Sequence, residues 1–388
     1  MEIEKLECTR TKSSSSVPLD VTIEILSRLP GKSVVRFRCV SKLWSSITTT
    51  PHFIKAFGDH SLSRPSLLLV ERKEDKRVFC SLPHRQDPQR RYTPAEKYEM
   101  MLPMKNPELF HGKVCRSIRG LIYFEEEDEV VIWNPTLRQH VVLPDPDLPR
   151  PLKSFVGYDP IGDKYKVVCM TVSRMSAYRE DKARILTLGK DKSWRIAEHD
   201  VSRDCLSLDD DWSVCGGICL NGILYYFRGD YDTLECFNVR SEEFKEIRKP
   251  KHVTRYETSL GTNVLTSYHG KLAWLSVTTG RRWVLTDPEK QEWSQGWFFL
   301  PDSSLATEAR MGSGPCYSNR IQFGGVTDSE EIISMEGLRT RPFYAFYGDW
   351  KKKTTRWVAY EALTDCSFHC DRFPKHVESL MSLANLFV

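Results

Sequence analysis

Residues Val17–Phe53 read VPLDVTIEILSRLPGKSVVRFRCVSKLWSSITTTPHF. Pro18 suits the first turn of a helix, where a missing N–H costs nothing, and Asp20 complements the positive end of the helix dipole. Leu19/Ile23/Leu26 and Val21/Ile25/Leu29 form two adjoining apolar stripes, a face wider than one neighbouring helix needs. Pro30-Gly31 stops that helix, and Ser33 is placed to cap a short second one carrying Val34, Val35 and Phe37. Val40, Leu43, Trp44 and Ile47 follow at i, i+3, i+4 and i+7, one helical face. A further helical turn starts at Thr50-Pro51 and presents Phe53, Ile54 and Phe57. A helical piece of roughly 40 residues is marginal as a private core, so it leans on something else. Its polar faces carry Arg28, Lys32, Arg36, Arg38 and Lys42 against Asp20 and Glu24, which favours an acidic partner. On the residues alone the support is either another protein or the domain that follows, which the helices would cap.

Outward from this unit the character of the chain changes. Residues 1–16 end in four serines and have no apolar periodicity, as expected of a tail. Through Gly58 and Pro65 helical periodicity gives way to short β-rich runs, so we expect a helical unit over 17–57, a linker over 58–66 and a mainly-β domain over 67–388. Within the β domain a Gly or Asn turn repeatedly leads into an apolar-aromatic strand. Gly120-Leu121-Ile122-Tyr123 leads to Val131–Asn134, Gly222–Tyr225 to Cys236–Val239, Gly270–Trp274 to Val284–Asp287, and Asn319–Phe323 to Phe346–Asp349. The spacing is about 50 residues or twice that, which is the period of a kelch-like β-propeller, one unit per blade. One more unit fits between 120 and 222, with Asp163–Val168 and Ile185–Thr187 as its strands, which makes five, and Leu67–Leu82 belongs to a sixth. The fold class is therefore α+β: a small all-α unit, then a kelch-like β-propeller of five to six blades. Alternating strands and turns fit a pair of β-sandwiches as well, and the period favours the propeller. The last strand, near Glu378–Leu383, is expected to pair with the first blade and close the ring, and Asp87–Pro107 to be a long loop.

Charged residues are 28% and hydrophobic ones 40%, an ordinary balance for a soluble globular protein, and the net charge of +4 with no basic stripe argues against a nucleic-acid binder. No apolar run approaches a membrane span and the N-terminus lacks a secretory segment, so the expected compartment is cytosol or nucleus, without a membrane partner. Twelve cysteines are spread evenly; Cys215/Cys219 and Cys366/Cys370 do not have the spacing of a zinc site, and no metal or cofactor is expected. There is no P-loop, dinucleotide fingerprint, G-x-S-x-G elbow or H-E-x-x-H. The acidic runs Glu125–Glu129 and Asp209–Asp211 read as solvated loop tips. Tyr178, Trp212, Tyr231, Trp297 and Trp350, with Arg174, Arg179 and Arg281, fall in expected loops and are the residue types that anchor recognition surfaces, although most tryptophans of such a domain belong to blade cores.

The helical stretch resembles a plant-type F-box. Val17-Pro18, Glu24–Pro30, Lys32–Lys42 and Trp44 fall in the family's order, with Val17 where Leu is usual. Independently, Trp133–Gln139, Val156–Pro160, Asp163–Val167 and His376–Leu380 are similar to runs of the plant F-box-associated domain. The first resemblance implies that Pro18, Leu19, Ile25, Leu26, Leu29, Val34, Val35, Val40 and Trp44 include contacts to a Skp-type adaptor and, through it, a cullin. Together they imply a non-catalytic receptor that holds a target protein for a ubiquitin ligase, with Tyr178, Trp212, Tyr231, Arg281 and Trp297 as candidate target contacts. The rival readings are a kelch-like enzyme or carbohydrate-binding module, and an adaptor-bound regulator acting outside a ligase.

Overall fold

Four helices open the described part of the computed structural model, which covers residues 17–73, 76–84, 91–92, 96–101, 116–126, 129–149, 152–171, 182–198, 217–227, 233–251, 253, 263–277, 279–298, 321–327, 329–336, 343–349, 351–360, 370–384 and 386. They are α1 (Leu19–Ser27), α2 (Gly31–Phe37), α3 (Lys42–Thr48) and α4 (Pro51–Ser61). Ser41 caps α3 by accepting from Leu43 N at 3.2 Å, and Thr50 caps α4 by accepting from Phe53 N at 3.2 Å, with Pro51 in the first turn. Ser33, expected as a cap, lies inside α2 instead; the helix begins at Gly31, and the Pro30 carbonyl takes the first amide bonds, from Ser33 N and Val34 N. Val40 precedes the cap of α3, so it does not share a helical face with Leu43, Trp44 and Ile47. α4 continues four residues beyond Phe57, into the stretch read as linker.

The strands come in groups. β1 (Ser66–Lys73), β2 (Lys76–Pro83), β3 (Arg91–Tyr92) and β4 (Glu96–Met101) come first. β5 (Arg116–Ile118), β6 (Leu121–Glu126), β7 (Glu129–Asn134) and β8 (Gln139–Val142) form an antiparallel sheet in chain order. So do β9 (Leu152–Asp159), β10 (Lys164–Thr171), β11 (Arg184–Thr187) and β12 (Arg195–Ile196). The pattern repeats in β13 (Ile218–Leu220), β14 (Ile223–Phe227), β15 (Thr233–Asn238) and β16 (Phe244–Arg248). β17 (Asn263–Tyr268), β18 (Lys271–Ser276), β19 (Arg281–Asp287) and β20 (Glu292–Trp297) follow. β21 (Ile321–Val326), β22 (Ile332–Glu336), β23 (Phe343–Asp349) and β24 (Thr354–Tyr360) precede the final strand, β25 (Cys370–His376).

β25 does not start a new sheet. It pairs antiparallel with β1, giving a blade of order β25-β1-β2-β4 built from both ends of the chain. The first strands β5, β9, β13, β17, β21 and β25 neighbour one another in a closed ring, so the domain is a six-bladed β-propeller. Closure leaves no open sheet edge at the seam. The closing strand is Cys370–His376, not the expected 378–383, which lies beyond it without secondary structure. Asp87–Pro107 is not all loop either: β4 completes the seam blade, and β3 crosses to pair in parallel with β24, Tyr92 opposite Tyr360. The repeat beginning at Asn319 was offset by one strand, because Ile321 opens the first strand of its blade whereas Leu121, Ile223 and Lys271 open the second.

The core sits between blades. Trp274 and Trp283 meet edge to face and pack with Leu265 and Leu285 against Tyr225, Phe227 and Leu234 of the preceding blade. Strand β9 is buried at every position because neighbouring blades cover both its faces. Glu125, read as a solvated loop tip, is also buried and accepts from Ser154 Oγ at 2.6 Å across a blade boundary.

Candidate functional site

The turns between first and second strands gather on one end of the propeller. Asn221 Nδ2 donates to the Gly270 carbonyl, His269 N donates to Glu330 Oε1 at 3.1 Å, and the Arg119 guanidinium lies 4.6 Å over the Tyr158 ring. The helical unit packs on this end. Asp59 of α4 pairs with Arg119 at 2.8 Å, Leu137 packs against the helical core, and Leu380 is buried within it. Burial pulls the Arg119 pKa down, but the Asp59 hydrogen bond and its neighbours outweigh this, and the guanidinium stays charged.

The helical unit therefore meets both needs that its sequence raises. One side fills its own core and leans on the propeller: Leu26 is 3% and Val34 0% exposed, closed around Ile47, Phe53, Phe57 and Leu380. Six further apolar side chains stay bare. Val17, Leu19, Val21, Ile25, Val40 and Leu43 are 46% to 69% exposed, in or just before α1 and α3, two elements that pack together. Of the positions read as docking contacts, Pro18, Leu19, Ile25 and Val40 are exposed. Leu29, Val35 and Trp44 are half-buried against the core, Trp44 edge-on to Phe37 at 5.1 Å. Leu26 and Val34 point inward, so in this conformation they have no surface to offer a partner. Val17, Val21 and Leu43 are added to the face; the Val17/Val21/Ile25 spacing of four was the signal for the first two.

Second strands end, third strands begin and each next blade starts on the opposite, distal end. Arg281, which opens β19, and Trp297, which ends β20, are cross-strand partners there. The Arg281 guanidinium lies 5.9 Å from the Trp297 ring, and that tryptophan is 65% exposed. Of the candidate target contacts the structure thus brings these two together. Tyr178, Trp212 and Tyr231, with Trp350, Arg174, Arg179 and Asp209–Asp211, lie outside the described residues, as do Cys215 and Cys366. Trp133, Trp274 and Trp283 are blade core. Near the distal end of β25 burial raises the Asp371 carboxyl to about 6, with Arg77 and Arg372 pulling the other way. Among the described residues no group of three or more His, Cys, Asp or Glu side chains is arranged to hold a metal ion.

A helical unit with exposed apolar side chains thus sits on one end of a propeller whose longest connections leave from the other. Residues 66–385 match the F-box associated beta propeller domain and residues 14–56 the F-box domain. The chain belongs to the F-box proteins with an F-box-associated β-propeller. In Arabidopsis thaliana it is similar to the F-box protein At5g65850, 33% identical over 99% of this chain and 94% of that one. It is also similar to the F-box protein At5g18160, 34% identical over 95% of this chain and 92% of that one. A third Arabidopsis relative, At4g21240, is 36% identical over 95% of this chain and 90% of that one. Among solved structures, one chain of a nidogen/laminin complex aligns with 77% of this chain and 100% of its own at a TM-score of 0.39 and 13% identity, too distant to carry an argument.

Proposed function

We propose that this chain is the target-recognition subunit of an SCF-type (Skp–cullin–F-box) ubiquitin ligase in the cytosol or nucleus. The bare face of α1 and α3 docks a Skp-type adaptor and, through it, a cullin. The distal end of the propeller holds a target protein. The chain itself makes and breaks no bonds; it contributes proximity, raising the effective concentration of target lysines at the site of transfer. The observation that carries this reading is the exposed side of the F-box: six large apolar side chains remain uncovered on a unit whose core is already filled. Arg281 and Trp297 support the distal end as the target side, since stacked Arg and Trp are frequent interface anchors.

The test is a pull-down with purified Skp-type adaptor. Ile25→Asp/Leu43→Asp places two charges on the bare face and is expected to abolish capture while leaving the thermal midpoint near that of the wild type. Leu26→Asp buries a carboxylate instead and is expected to unfold the helical unit. Capture by the folded Ile25→Asp/Leu43→Asp protein at wild-type affinity would place the adaptor elsewhere and overturn the assignment.

A further inference from the structure

After β25 has closed the ring, the chain runs on through 377–383 without secondary structure, and both halves of the protein hold it. On the propeller side, Asn134 Nδ2 donates to the Ser379 and Met381 carbonyls at 3.0 and 2.7 Å. Ser379 N donates to Thr136 Oγ1 at 3.0 Å, and Leu383 N to Gln139 Oε1 at 2.9 Å. On the F-box side, Gly31 N donates to Glu378 Oε1 at 3.0 Å and Glu378 N donates to Ser61 Oγ at 2.8 Å. Two residues further, Leu380 enters the F-box core at 1% exposure.

Blade pairing ends at His376, and beyond it the segment contributes Leu380 to the F-box core and Leu383 to the core between two blades. What the segment adds is a connection between them. The Asp59–Arg119 pair beside it is half-exposed on the Asp59 side and is weak on its own. We propose that residues 377–383 are a clasp that fixes the orientation of the F-box on the propeller, with Glu378 as its positioning residue. The Glu378 carboxylate reaches α2 while its own amide reaches the end of α4, so one residue pins two helices of the F-box to a segment that Asn134 and Thr136 pin to the propeller. The functional consequence rests on the receptor reading above: a subunit that works by effective concentration loses it when the target end swings relative to the docking face.

The test measures the joint in the full-length chain. Spin labels incorporated at the exposed positions Lys55, on α4, and Lys290, on the propeller, report a distance distribution by pulsed dipolar spectroscopy. The wild type is expected to give one narrow distribution, and Glu378→Ala a broad one with the propeller's thermal midpoint unchanged. Glu378→Gln is expected to keep the narrow form, because its amide oxygen still accepts from Gly31 N–H. A narrow, unshifted distribution for Glu378→Ala, or a Gln variant as broad as the Ala variant, would sink the assignment. In a reconstitution with Skp-type adaptor, cullin and ubiquitin, lysines modified on the chain itself are mapped by mass spectrometry. Glu378→Ala should capture adaptor like the wild type but spread modification over more lysines; an unchanged map alongside broadened distances would overturn the functional consequence. Failure of the wild type to capture adaptor would remove the receptor reading and leave the distance measurement to decide the clasp.

Discussion

Gly31 stands at the first turn of α2 with no positive φ, where alanine would ordinarily be the better helix former by up to about 1 kcal/mol. The joint reverses that expectation. A Cβ at Gly31 would lie 2.4 Å from Thr136 Cγ2 and 3.1 Å from Glu378 Oε1. Carbon atoms rest at roughly 3.5–4.0 Å, so the Thr136 contact must open by more than about 1 Å, and overpacking of this kind costs about 1–3 kcal/mol. The carboxylate can give by a few tenths of an ångström, but the branched Thr136 side chain is held through its hydroxyl by Ser379 N–H. Gly31→Ala should therefore weaken the closed joint by about 1–2 kcal/mol net, a roughly 5- to 30-fold shift toward separated F-box and propeller. Thr136→Ser removes the offending methyl and keeps the hydroxyl, so Gly31→Ala/Thr136→Ser should close the joint again, with a coupling of about 1 kcal/mol or more between the sites. The assay is a double-mutant cycle read by urea denaturation together with the inter-unit distance. Gly31→Ala behaving as a simple helix-stabilising change, or effects at positions 31 and 136 that merely add, would refute the reasoning.

Three further outcomes follow from burial. His376 is buried, and burial pushes its pKa down to about 3, while Ser117 Oγ lies 3.0 Å from Nδ1. Since the unfolded histidine titrates near 6.5, its contribution is present above that pH and is lost as pH falls from about 6.5 toward 3, by up to about 1.4 kcal/mol per unit. Urea titrations should therefore show a stability gap between wild type and His376→Gln that narrows as pH drops from 7 to 4; a gap independent of pH would mean the ring is not held neutral. Among the described cysteines Cys39 is exposed, whereas burial pushes the Cys219 and Cys236 thiols up to about 11. Alkylation of the native protein at pH 8, followed by peptide mass mapping, should mark Cys39 first, and equally fast labelling of Cys219 would contradict the blade packing. Trp283→Ala should cost about 3–5 kcal/mol and Trp297→Ala less than about 0.5 kcal/mol by denaturant midpoint, because one indole is buried between blades and the other faces solvent.

Much of the architecture is written in local pattern. The helices of 17–61 follow from stripes and caps that act within a few residues, and the blades follow from turns at Arg119-Gly120, Asn221-Gly222 and His269-Gly270, where the second residue takes a positive φ that glycine adopts without steric cost. The errors have a common origin. Strand β4 reads as loop because EKYEMM lacks an apolar alternation, and it is a strand because β2 supplies the ladder. Ser33 reads as a cap because capping residues look alike in sequence, while the preceding Pro30 already sets the entry to α2. Leu26 and Ile25 are adjacent, equally apolar and indistinguishable as docking contacts until the helix is turned against Phe53 and Phe57.

By itself the sequence determined the two-part division, the helical and β character of each part and the repeated blade, because these rest on spacing and turn chemistry that are local to the chain. Only the tertiary structure decided which apolar residues of Val17–Phe53 stay bare, that the ring closes through Cys370–His376, and that 377–383 joins the two parts. Those outcomes depend on pairs far apart in sequence, such as Gly31 with Glu378 and Asn134 with Ser379. Their hydrogen bonds exist only once the ring has brought both ends of the chain to one seam, and no periodicity in either stretch encodes the other.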